Sequence, residues 1–116
     1  MKQSFVIHQP AILSLLTSMQ PICNKRTPLD ATECILFQLT PRELTLKATD
    51  LEISLQSTAE IECSGEETRS FLVPGKRIFE IVKEMDGLIT FTADTNMLNL
   101  RSGSVDLSLN IKDAQD

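Results

Sequence analysis

Apolar residues recur along this chain with two periods, and the order in which those periods follow one another is itself repeated. Lys2 to Ile7 ends in Phe5-Val6-Ile7 and reads as a strand, with Pro10 placed where a first helical turn tolerates it. From Pro10 to Met19 the apolar Ile12, Leu15, Leu16 and Met19 fall at i, i+3, i+4 and i+7. That spacing predicts a helix with one packing face and an uncharged polar face of Ser14, Thr17 and Ser18. Gln20 to Thr32 carries Pro21 and Pro28 around Asn24-Lys25-Arg26-Thr27 and reads as an irregular loop. Three alternating runs follow: Ile35, Phe37 and Leu39; Leu44, Leu46 and Ala48; and Ile53, Leu55, Ala59 and Ile61, with Ser54, Gln56, Thr58 and Glu60 opposite. Each predicts a strand with one buried face.

The polar run Glu62 to Arg69 breaks the chain near its middle, and the order then starts again. Ser70 to Val73 is a short strand. Pro74-Gly75 opens a second helix with Ile78, Ile81, Val82 and Met85 on one stripe, ended by Asp86-Gly87. Leu88 to Thr92 and Met97 to Arg101 are strands around an Asp94-Thr95-Asn96 turn, and Ser102-Gly103 signals a hairpin before Val105, Leu107, Leu109 and Ile111. Both halves, about 1–62 and 70–112, thus read β-α-β-β-β, a repeat of element order more than of residues. Two helices with one apolar stripe each, beside strands with one apolar face each, predict a two-layer α+β domain with both helices on one side of antiparallel sheets.

With 116 residues the chain fits one domain of this kind. All five aromatic residues are Phe, so the core is mainly aliphatic, and platforms built from Trp or Tyr are excluded. Eleven Lys and Arg against 16 Asp and Glu give a net charge of -5, so any nucleic-acid contact is local and does not come from bulk charge. Cys23, Cys34 and Cys63 are an odd set without C-x-x-C spacing, which fits reduced thiols in a cytoplasmic protein. The apolar N-terminal stretch is interrupted by His8, Gln9 and Pro10, so no signal segment or membrane span is expected.

Catalytic patterns are sparse. His8 is the single histidine, and the cysteines match no common zinc spacing, so neither a nucleophilic triad nor a metal site is expected. The four glycines stand singly and form no phosphate-binding loop, and no cofactor is expected. Asp50 and Glu52 flank Leu51 at the end of a strand, a spacing open to acid–base chemistry or to an Asp bonding its own backbone. The basic residues are more informative. Lys25 and Arg26 sit in the loop after the first helix, and Lys76, Arg77 and Lys83 sit on the second. The seven-residue spacing of Lys76 and Lys83 places both on one face, suited to phosphate contact or to plain solvation beside Glu80 and Glu84.

Several stretches taken together resemble the first domain of the bacterial DNA polymerase III beta subunits, the replicative sliding clamps. They are Leu44-Thr45-Leu46-Lys47-Ala48-Thr49-Asp50-Leu51-Glu52, Val73-Pro74-Gly75-Lys76-Arg77-Ile78-Phe79-Glu80-Ile81 and Leu100-Arg101-Ser102-Gly103, with Arg26 in the loop after the first helix. The resemblance covers nearly the whole chain, 1–116. It implies a DNA-clamp fold and a head-to-tail homodimeric ring in which each subunit holds three such domains. Two of the three would lie outside this sequence.

In such a ring helices line a central hole for double-stranded DNA and sheets form the outer wall, and the resemblance implies a non-enzymatic processivity factor. By their places in the family pattern, Arg26, Lys76 and Lys83, with Lys25 as a neighbour, are expected to face DNA. Leu107 and Leu109 match the strand that pairs with the other subunit, although they equally fit a core role, and Arg77 is expected to make ionic contact there. DNA polymerase III and the clamp loader would be gripped through the domains outside this sequence. The alternative reading of the same elements is an α+β protein-interaction module unrelated to DNA; a hydrolase using Asp50 or Glu52 is a more distant one.

Overall fold

The computed structural model describes residues 3–23, 34–49, 53–65 and 68–113. The elements in chain order are β1 (Gln3–His8), α1 (Gln9–Cys23), β2 (Cys34–Leu39), β3 (Glu43–Thr49), β4 (Ser54–Glu60), β5 (Arg69–Pro74), α2 (Gly75–Lys83), β6 (Leu88–Ala93), β7 (Met97–Ser102), β8 (Val105–Asn110) and β9 (Lys112–Asp113). The expected order appears twice, with β9 as an addition. Among the described residues the strands form a four-stranded sheet ordered β1-β6-β7-β8 and a five-stranded sheet ordered β4-β3-β2-β5-β9.

The two halves exchange their first strands. β1 pairs antiparallel with β6 of the second half, and β5 pairs antiparallel with β2 of the first. The registers match: Phe5 stands opposite Phe91 and Phe37 opposite Phe71, each pair stacked, with ring centroids 4.9 and 5.5 Å apart. Ile12, Leu16 and Met19 of α1 follow Phe5 at the same intervals at which Ile78, Val82 and Met85 follow Phe71, and all six are buried. The tails of the halves are equivalent as well. The segment after β4 bridges Phe5 at Cys63, and β9 after β8 pairs Asp113 with Phe71. Each tail thereby closes the otherwise open edge of a first strand. β9 was not expected from the sequence, because two residues are too few to show alternation.

Buried residues of both helices and both sheets form one core cluster. α1 lies against β1 to β4, and α2 against α1, β2 and β5. Three expectations need correction. The first helix does not stop at Met19. It runs through Pro21 to Cys23, because Ile22 continues the buried stripe and a proline near the end of a helix forfeits only one backbone hydrogen bond. Ile53 is 54% exposed, and Leu55 and Ala59 are only half-buried, because β4 is an edge strand that the helices cover in part. Val105 and Leu107 are likewise exposed on the edge strand β8.

Candidate nucleic-acid interface

The second helix begins directly after β5, with Pro74 as its N-cap and no side-chain cap hydrogen bond. Ile78, Val82 and Met85 turn into the core, and that fixes the opposite face: Lys76, Arg77, Glu80, Lys83 and Glu84 are all exposed. Lys76 and Lys83 are two turns apart, about 10 Å along the helix axis. Among the described residues neither lysine forms an ion pair. The Lys83 ammonium stands 5.3 Å from the centre of the Phe79 ring, a cation–π contact, and its place in the last turn suits the negative end of the helix dipole.

The exposed face of α1 is built from Pro10, Ala11, Ser14, Thr17, Ser18 and Pro21 and carries no charge. The hydroxyl of Thr17 donates to the Leu13 carbonyl at 2.7 Å and that of Ser18 to the Leu15 carbonyl at 2.8 Å, so both protons are engaged by the helix itself. The described cations of the helix layer therefore come from α2. Lys25 and Arg26 lie outside the described residues, as do Asp50 and Glu52.

The strand β8 is the outer edge of the four-stranded sheet. Its inner-face residues divide sharply: Leu107 is 42% exposed and Val105 40%, while Leu109 is 6% exposed and belongs to the core. Val105 opens the alternation that Leu107 and Leu109 continue. On the other face Asp106 accepts hydrogen bonds from Asn99 Nδ2 at 2.6 Å and from Arg101 Nη2 at 3.2 Å. The Asn99 amide, followed by Arg101, holds its carboxyl below the usual carboxylate range. Arg77 is exposed on α2, a different element from β8.

Among the described residues no group of three or more His, Cys, Asp or Glu is placed to hold a metal, and no helix is long and apolar enough to cross a membrane. His8 is exposed at the end of β1 opposite Leu88, and Cys34 and Cys63 are half-buried. Burial pushes the Cys63 thiol up, against a smaller lowering by the Ser64 backbone.

Residues 3–116 match the family described as DNA polymerase III beta subunit, N-terminal domain. The beta sliding clamp of Haemophilus influenzae is 27% identical over 108 residues, which span 89% of this chain and 29% of that protein. The beta sliding clamp of Pseudomonas putida is 26% identical over 114 residues, 97% of this chain and 31% of that protein. The crystal structure of the DNA polymerase III subunit beta from Pseudomonas aeruginosa is similar with a TM-score of 0.86 at 26% identity, across 97% of this chain and 31% of that one. The C. crescentus beta sliding clamp has the same fold, with a TM-score of 0.86 at 20% identity across 98% of this chain and 31% of that one. The chain spans about three-tenths of the length of these relatives.

Proposed function

The chain belongs to the family of the DNA polymerase III beta subunit N-terminal domain, and from that premise we propose that it is the first domain of a ring-shaped clamp that encircles duplex DNA and tethers the replicative polymerase. The observation that carries this reading is the family match running from residue 3 to 116 onto a domain whose described helix-layer cations, Lys76, Arg77 and Lys83, are exposed away from the core. In such a ring the helix layer faces the duplex. Lys76 and Lys83, with Lys25 and Arg26 from the loop after α1, meet phosphates. Each such contact is weak, salt-dependent and blind to sequence, which suits a protein that slides.

The ring closes through β8. An edge strand presents unpaired backbone N–H and C=O groups, and pairing with a strand of a second subunit, head to tail, satisfies them. Leu107, beside Val105, packs across that junction, Leu109 anchors the strand in the core, and Arg77 makes ionic contact with the neighbour. The polymerase and the clamp loader bind other domains of the same ring. No bond is made or broken by this domain, and it works in the cytoplasm.

Primer extension by the cognate polymerase with its clamp loader tests the reading. On a primed circular template the full-length product of this gene is expected to lengthen products several-fold. Products of equal length with and without it contradict the assignment.

A further inference from the structure

The helices α1 and α2 run antiparallel, and a glutamine ties them at each end. Gln9, the first residue of α1, donates through Nε2 to the Val82 carbonyl at 3.1 Å. Gln20, in the last turn of α1, donates through Nε2 to the Gly75 carbonyl at 3.2 Å. The two carbonyls belong to the residues immediately before Lys83 and Lys76. Resting on the DNA reading above, we infer that Gln9 and Gln20 are positioning residues that fix α2, and with it the two lysines, against α1 for phosphate contact.

The physical case rests on direction. Apolar burial attracts without orientation, so the buried stripes of the two helices resist separation more than they resist sliding or rotation of α2 about its axis. Hydrogen bonds weaken steeply as their angle opens, so one at each end of α2 opposes both motions. The helix needs such ties. It has nine residues and no side-chain cap, a length that is marginal in water without outside contacts. At its far end the Val82 carbonyl lies in the last turn, where an intrahelical donor four residues on is missing; it accepts Met85 N–H at 3.1 Å together with the Gln9 amide. The Gln9 backbone N–H also donates to the Gly87 carbonyl at 2.8 Å, which holds the segment after α2 to the same residue.

These ties are not a by-product of the internal symmetry. The positions equivalent to Gln9 and Gln20 in the second half are Gly75 and Asp86, neither of which has an amide side chain. Since the exposed face of α1 carries no cation, the placement of α2 decides where the described positive charge of the helix layer stands.

The test uses Gln9→Met and Gln20→Met, singly and together, which keep side-chain length and remove the amide donor. They are made in the protein as its gene encodes it. Binding to a short duplex is followed across a salt series, and Lys76→Ala with Lys83→Ala sets the lysine contribution, about one unit of log–log slope per lost phosphate contact. The paired Met variant is expected to lower the slope toward that of the lysine variant and to quicken amide exchange in α2, while exchange in β2, β3, β6 and β7 stays at the parent rate. Met variants with the parent slope, beside a lowered slope in the lysine variant, overturn the positioning role and leave the DNA reading standing. A lysine variant with the parent slope overturns both. The single Met variants keep the test available if the paired one does not fold.

Discussion

Leu107 and Leu109 share a strand and a face, yet the main contacts of the helices are with β1 to β5, which leaves the hairpin end of β8 uncovered. The two residues therefore respond differently to substitution. Leu109→Ala opens a hole in the core and is expected to lower unfolding free energy by about 2–5 kcal/mol. Leu107→Asp, at a half-covered position, is expected to lower it by less, about 1 kcal/mol, and to weaken subunit association as well. Urea unfolding and sedimentation velocity separate the two effects, and a stability loss at Leu107 equal to that at Leu109 contradicts the division. The sequence showed both leucines on one face through their alternation, and showed Lys76 and Lys83 on one face through their spacing. It did not show which apolar positions end up covered, since Ile53 and Leu107 alternate as cleanly as buried residues do. Gln9 and Gln20 left no trace at all: a side-chain amide whose partner is a backbone carbonyl on a distant helix has no period and no motif.

At the scale of elements, both helices and the eight longer strands were readable because each buries one face. What failed were the ends and the additions. Pro21 reads as a stop signal, but the burial of Ile22 carries α1 past it. β9 exists only because the backbone of β5 offers it an edge. Ser102-Gly103 signals the β7–β8 hairpin in the sequence, and its geometry gives the reason: Ser102 pairs with Val105 across a two-residue loop, and Gly103 has φ of 58°. A Cβ at Gly103 would meet nothing within 4 Å, so the cost of adding one is backbone strain alone. Gly103→Ala is expected to destabilise the domain by about 1 kcal/mol, and Gly103→Asn by less, because Asn tolerates the left-handed region. Denaturant midpoints at unchanged m give the order Gly, Asn, Ala; equal midpoints for Asn and Ala contradict the account.

For the molecule as a whole, the repeat of element order was visible in the sequence, but the exchange of first strands was not. Alternation tells a strand which of its faces is buried and says nothing of which neighbour it pairs with. That exchange puts both halves into both sheets, so the domain has one core, a helix layer on which Lys76 and Lys83 are exposed, and a free sheet edge at β8. In the ring proposed above, DNA is held by linkage, so the grip depends on the topology of the DNA more than on the strength of any contact. The most direct test follows the protein after its clamp loader places it on a nicked circular duplex in high salt, before and after the circle is cut once. Retention on the circle and release on linearisation is the predicted result. Equal loss from circular and linear DNA would contradict the encircling ring.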